Sequence, residues 1–394
     1  MVHDFDEYVE RRGTDAKKYN QYGPDVIPMW IADTDFKCPQ PVVDAVVARM
    51  QEGVYGYTFN SERLKKAGAR WQKVRFGWDV DPSWVEYSPG VIGGVICAVR
   101  ALSQPGDNIV IQTPCYPPFK DLSDHNGRHL LRNALVNVNG RFEVNWEELE
   151  RMLSDDRTKL FILCNPQNPT GRVFTREELT RMGNLCIKHH VTVIADEIHQ
   201  DVVYSGHKHI PFASICPEFA EITVSFMNPS KTFNVPGFRT AAFIASNPVL
   251  KSAVHEMLVN NKAIGENICG TIAFYTAYEQ CDYYADQLVA YLEKNRDLVE
   301  QALRKASRED LIGFGKECLI KPGKAGAGQK KREIVPENKG RKTNSRRNGR
   351  TGTVEDLTGI KGSKRDFRQK KPQVSPAGDY KTHKISRKGK GLSK

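Results

Sequence analysis

The sequence predicts an α/β protein built on a mostly parallel sheet, with helices on both faces. Three observations carry that expectation. Short apolar runs of strand length recur along the chain, a helix-start signal lies between two of them, and the alternation continues to about residue 280. Strands joined through helical segments of this length pair in parallel and bury both faces of their sheet.

The runs that read as buried strands are Ile109 to Ile111, Leu160 to Cys164, Val191 to Ala195, Ile222 to Phe226 and Ala241 to Ala245. They are predominantly apolar rather than alternating, as strands with no wet face should be. Between the second and third, Thr175-Arg176-Glu177-Glu178 is a capping box, in which hydroxyl and carboxylate each satisfy a backbone N–H of the first turn. It opens a helix to about His190. From Tyr284, the residues Leu288, Tyr291, Leu292, Leu298, Val299 and Leu303 fall at helical spacing and predict one long amphipathic helix. After Asp310 the periodicity stops, and Gly, Lys, Arg, Ser and Pro dominate.

Charge divides at the same point. The 394 residues carry a net +11, but residues 311–394 hold 24 Lys and Arg against 7 Asp and Glu, net +17, while residues 1–310 hold 34 against 40, net −6. All five Trp lie before the division, and only Phe314, Phe367 and Tyr380 among the aromatics lie after it. The body therefore has the means to bury a core, and the tail reads as basic, low-complexity and disordered. With so few aromatics to stack on bases, the tail offers at most weak, salt-dependent binding of nucleic acid or another polyanion.

Nine cysteines occur without a CxxC pair or a histidine at metal-ligand spacing, so neither a metal site nor a disulfide framework is expected. The start, MVHDFDEYVERRGTD, has no apolar signal core, and no stretch reaches membrane-spanning length. These features predict a soluble, cytoplasmic protein with reduced thiols.

The residues that can carry chemistry converge on one place. Asp196 closes the strand run Val-Thr-Val-Ile-Ala-Asp, Asn165-Pro-Gln-Asn168-Pro-Thr-Gly171 follows the preceding strand, and Ser230-Lys231-Thr232-Phe233-Asn234 follows the next one. All three reach the carboxyl edge of the sheet, where such folds bind ligands. A lysine there can form a Schiff base, and a buried carboxylate can hold a protonated heterocyclic nitrogen, the pair that pyridoxal phosphate chemistry requires.

Asn168-Pro-Thr-Gly171, Asp196-Glu-Ile-His199 and Ser230-Lys-Thr-Phe-Asn-Val-Pro-Gly-Phe-Arg239 resemble the fold-type I pyridoxal-phosphate enzymes of the class I/II aminotransferase superfamily. Within it, Pro28-Met-Trp-Ile-Ala-Asp-Thr-Asp-Phe36, Tyr55-Gly-Tyr-Thr58 and Thr113-Pro-Cys-Tyr-Pro-Pro-Phe119 are similar to the cystathionine β-lyase (carbon-sulfur lyase) branch of MalY/PatB type. The resemblance runs in unbroken order from about residue 3 to about residue 303. It implies a transferase-like large domain at 46–283, preceded by an N-terminal arm and small-domain segment at 1–45 and followed by a connecting helix at 284–310. The tail at 311–394 stands where relatives have a small C-terminal domain.

By this resemblance, Lys231 carries the cofactor pyridoxal 5'-phosphate and takes the substrate's α-proton, and Asp196 pairs with the pyridinium nitrogen. Asn168 and His199 reach the phenolate oxygen, and Tyr116 stacks on the ring. The backbone of Gly90, Val91 and Ile92, leading into a helix from near Gly93, holds the phosphate together with Arg239, and Ser230 belongs to the cofactor-binding set. Tyr57 reaches the phosphate of a neighbouring subunit, which implies a homodimer with shared sites, and Ala32 lies against the amino-acid substrate.

Two departures stand out. Asn228 replaces a small residue three positions before Lys231, and the small domain with its carboxylate-binding arginine has no counterpart after Lys305. The implied activity is cleavage of cystathionine or a related cysteine S-conjugate to thiol, pyruvate and ammonia, with amino transfer as the alternative. A reading of another class is a catalytically impaired remnant whose tail binds polyanions.

Overall fold

The computed structural model describes residues 1–58, 61–313 and 318–320. All described residues belong to one compact unit, Met1–Lys331. From residue 321 the expected basic tail, its polyanion binding and the missing small domain lie outside them.

The strands among the described residues are β1 (Val85–Ser88), β2 (Asn108–Thr113), β3 (His129–Ala134), β4 (Val136–Val138), β5 (Arg141–Glu143), β6 (Thr158–Cys164), β7 (Thr192–Asp196), β8 (Thr223–Met227) and β9 (Ala241–Ile244). The helices are α1 (Lys17–Asn20), α2 (Gln40–Gln51), α3 (Glu62–Phe76), α4 (Val91–Leu102), α5 (Pro118–Asp124), α6 (Trp146–Leu153), α7 (Arg176–Lys188), α8 (Pro217–Glu221), α9 (Pro248–Asn260), α10 (Ile268–Gln280) and α11 (Asp282–Lys305). Among the described residues, no helix is long and apolar enough to cross a membrane.

Seven strands form one sheet in the order β1-β9-β8-β7-β6-β2-β3. From β8 to β3 all pairs are parallel, and β9 alone runs antiparallel to its neighbours β8 and β1. Successive side chains of a strand face opposite sides of the sheet. Ile109, Ile111, Leu160, Ile162 and Ile194 therefore enter one core with Val95 and Val99 of α4 and Val254 and Leu258 of α9. Val110, Phe161, Leu163, Val193 and Ala195 enter another with Leu149 of α6 and Leu179 and Met182 of α7. Both faces being dry, these strands had to be apolar throughout, and that made them legible.

The capping box is present: the Thr175 hydroxyl accepts the Glu178 N–H at 3.3 Å, and the Glu178 carboxylate accepts the Thr175 N–H at 2.9 Å. The long helix begins at Asp282. Its first turns bury Tyr284 and Leu288 in a third core with Phe5 and Trp71, whereas Leu298 and Val299 further along are exposed.

One element starts earlier than expected. α4 begins at Val91, not near Gly93. The glycines serve packing instead: a Cβ on Gly94 would meet Ser88 Oγ at 2.2 Å and Phe226 at 2.5 Å, so only glycine lets α4 lie this close to β1 and β8. The edge strand β3 and the β4–β5 hairpin, which no apolar run signals, complete the sheet system at its wet margin.

Candidate active site

β6, β7 and β8 deliver the residues at their carboxyl ends to one edge of the sheet. Asp196 is the last residue of β7 and is buried; its carboxylate accepts the Ile198 N–H at 3.3 Å. Burial pushes its pKa up to about 6, against the pull of the Ile198 N–H and the Lys231 charge. Lys231 sits in the loop after β8, where the Asn228 carboxamide accepts the Ser230 N–H at 2.6 Å and the Phe233 N–H bonds to Pro229 O at 2.8 Å. Burial lowers the lysine's affinity for its proton, and the carboxylates of Asp33 and Asp196 oppose that effect.

A cavity of about 440 Å³ opens at this edge. Its walls include Gly90, Val91, Ile92, Tyr116, Asp196, Ser230 and Arg239, seven residues that the sequence assigns to the site, together with Asn228 and Ile198. Gly90 has φ +84°, a conformation that favours glycine, and a Cβ there would lie 3.8 Å from the Arg239 backbone. The turn thus rests against the exposed Arg239. No side chain caps α4, which leaves the first N–H groups of the helix as donors at the cavity.

The cavity consequently has an anion-accepting end, made of an uncapped helix start, Ser230 and an arginine, and a buried end with a carboxylate. Tyr116 forms part of the wall, braced edge-to-face by Phe119 at 5.8 Å between ring centroids. A lysine amine within electrostatic reach of that carboxylate completes the set. This donor set fits a phosphorylated heterocycle that bears an aldehyde and a basic ring nitrogen.

Lys231, Asn168 and His199 are not among the residues that line the cavity, although Lys231 directly follows the lining residue Ser230. His199 is held neutral down to about pH 4 by burial and by the Lys231 charge, so it meets the site as an uncharged imidazole. Asn168 is half-buried in a loop held by the Gly171 N–H bond to Gln167 O at 2.8 Å. Ala32 and Tyr57 take no part in the lining, and Tyr57 is completely exposed.

Three contributors escape sequence reasoning. Asn228 registers in the sequence only as a departure, yet it lines the cavity and shapes the lysine loop. Asp33 lies inside a family motif without a role of its own, and Asp201 carries no signal, because only folding brings it beneath Thr232. Behind Asp196, the buried Glu197 accepts the Phe212 N–H at 2.8 Å and lies 3.6 Å from His209.

A mostly parallel α/β sheet with a lysine, a carboxylate and an anion cradle at its carboxyl edge defines a class of cofactor-binding enzymes. Within that class, the chain belongs to the aminotransferase class I and II family, whose profile matches residues 25–324. It is 40% identical to cystathionine beta-lyase PatB of Bacillus subtilis over 304 residues, which cover 76% of this chain and 79% of that protein. Among solved structures, cystalysin from Treponema denticola, which contains pyridoxal 5'-phosphate, matches with a TM-score of 0.74 and 30% identity over 77% of this chain and 79% of that one. A PLP-bound putative aminotransferase from Clostridium difficile matches with a TM-score of 0.75 and 32% identity over 77% and 80%.

Proposed function

We propose that this chain is a pyridoxal-phosphate-dependent carbon-sulfur β-lyase that converts cystathionine or a related cysteine S-conjugate, with one water, to thiol, pyruvate and ammonia. The observation that carries the reading is that Asp196 and the Gly90 to Ile92 turn with Arg239 face one cavity, with the half-buried Lys231 at its edge. The 40% identity to a cystathionine beta-lyase supplies the substrate class.

When bound, pyridoxal phosphate supplies an electron sink for the charge left on the substrate's Cα. Lys231 would hold it covalently and, once released, take the Cα proton, a task helped by burial that weakens the amine's hold on a proton. The Asp196 carboxylate would keep the ring nitrogen charged. The Asn168 amide and the neutral His199 would bond the phenolic oxygen. The Tyr116 ring would cover one face and exclude water. Backbone N–H groups of Gly90, Val91 and Ile92, with Ser230 and Arg239, would take the phosphate.

The full exposure of Tyr57 supports its reaching the phosphate of a second subunit in a homodimer, and Ala32 would meet the substrate in the completed site. Domain limits at 1–45, 46–283 and 284–310, and a cytoplasmic location, belong to the same reading. The likeness to a putative aminotransferase supports a second reading, in which the same residues would serve amino transfer to a 2-oxo acid rather than loss of a thiolate.

The test is incubation of the cofactor-loaded protein with cystathionine. Pyruvate and thiol forming without a 2-oxo acid, and failing to form in Lys231→Ala, are expected. Product formation only with a 2-oxo acid acceptor overturns the lyase in favour of amino transfer.

A further inference from the structure

The segment from Asp33 to Phe36 is clamped between two parts of the chain. On one side, Arg11 pairs with Asp33 at 2.6 Å and with Asp35 at 2.7 Å, and Lys18 pairs with Asp35 at 2.7 Å and donates to Asp33 O at 2.9 Å. On the other, the Asn234 carboxamide, three residues after Lys231, donates to Thr34 O at 3.1 Å and Phe36 O at 2.7 Å. Two hydrogen bonds therefore tie the lysine loop to this segment.

Arg11 occupies only one oxygen of Asp33. The other, Oδ1, is buried with no hydrogen-bond partner among the described residues. A buried carboxylate oxygen without a donor is costly and calls for an explanation. Arg11 and Lys18 are already engaged with Asp33 and Asp35, and a further cation within electrostatic reach is the Lys231 ammonium, on which Asp33 acts even before Asp196 in strength. The lysine's flexible four-carbon stem allows its amine to swing toward either carboxylate.

We propose that Asp33 is a positioning residue for Lys231, its unpartnered oxygen receiving the lysine's ammonium group whenever that amine is free of the cofactor. The proposal rests on the reading of Lys231 given above and adds a second station to its amine. Bound covalently, the lysine faces the cavity and Asp196. Released, and charged by the proton it has taken, it docks on Asp33 and stays beside the substrate instead of drifting into water. Asn234 keeps that dock in register with the loop that carries the lysine.

The test uses the cofactor-free full chain and needs no turnover. Competitive acetylation with acetic anhydride across a pH series, read by mass spectrometry on the Lys231 peptide, gives the pH midpoint at which that amine becomes reactive. Asp33→Asn is expected to lower the midpoint by about one pH unit or more, since an opposite charge close to an amine favours its charged form by that much. Arg11→Gln, which breaks the ion pair but keeps the Asp33 charge, is expected not to lower it.

Asn234→Gly accommodates the positive φ of 56° at that position and removes the clamp. It is expected to lower the midpoint as well, and it provides the test if Asp33→Asn does not fold. An unchanged midpoint in the folded variants, or an equal fall in Arg11→Gln, overturns the proposal by reducing Asp33 to a partner of Arg11. Since nothing here depends on products from cystathionine, failure of the lyase reading leaves a distinct result.

Discussion

The Asp201 carboxylate accepts the Thr232 hydroxyl at 2.8 Å, one residue from the lysine at the site. Its other oxygen accepts the Trp71 indole N–H at 3.0 Å, and Trp71, fully buried, stacks on Tyr278 at 4.7 Å between ring centroids. A residue with no assigned chemistry thus ties the lysine loop to α3 and α10.

Asp201→Ala should therefore loosen the loop as well as the fold. It strands two buried donors, a loss of about 1–3 kcal/mol for each group left without a partner. The expected outcome is a thermal midpoint several degrees lower, with weaker pyridoxal phosphate binding in a spectroscopic titration. Asp201→Asn, which retains one acceptor, should fall between.

Gly94→Ala should be damaging where Gly93→Ala is mild. The added methyl at Gly94 would collide with Ser88 Oγ and Phe226, whereas at Gly93 the nearest atom is Pro89 Cγ at 3.5 Å. Overpacking of this kind costs about 1–3 kcal/mol and pushes α4, with the cavity-lining turn at its start, off the sheet. Denaturant unfolding of the two variants side by side measures the difference.

Glu197 should make the protein less stable as the pH rises. Burial holds its pKa up to about 8 against an ordinary 4.5, so the folded chain keeps a proton that the unfolded chain releases. Its stabilising contribution is complete below pH 4.5 and is lost as the pH rises through about 8, on the order of 1 kcal/mol per pH unit at the steepest. His199 and His209, held neutral to about 4 and about 3, act in the opposite sense, but only below their ordinary 6.5. Between pH 6.5 and 8 the wild type should lose stability and Glu197→Gln, which can still accept the Phe212 N–H, should lose less. Urea midpoints across that window check it.

Sequence alone determined the core strands and the polar residues that follow their carboxyl ends. Leu160 to Cys164, Val191 to Ala195 and Ile222 to Phe226 fall on β6, β7 and β8 with ends displaced by no more than two residues, because a strand buried on both faces must be apolar along its whole length. For the same reason Asp196 and Lys231 stood out as polar chemistry next to apolar runs. The wet-edge strand β3 and the β4–β5 hairpin left no such mark, since half-exposed residues tolerate almost any composition.

Tertiary structure alone decided which distant residues meet at the site. Asn234 reaches Thr34, Asp201 reaches Thr232, and Gly90 rests against Arg239 across long stretches of chain. Local pattern reports which face of an element is buried, whereas such pairings depend on how separate elements pack. An acid such as Asp33 or Asp201 looks like a solvated surface charge until folding removes its water and leaves an arginine or a hydroxyl as its partner.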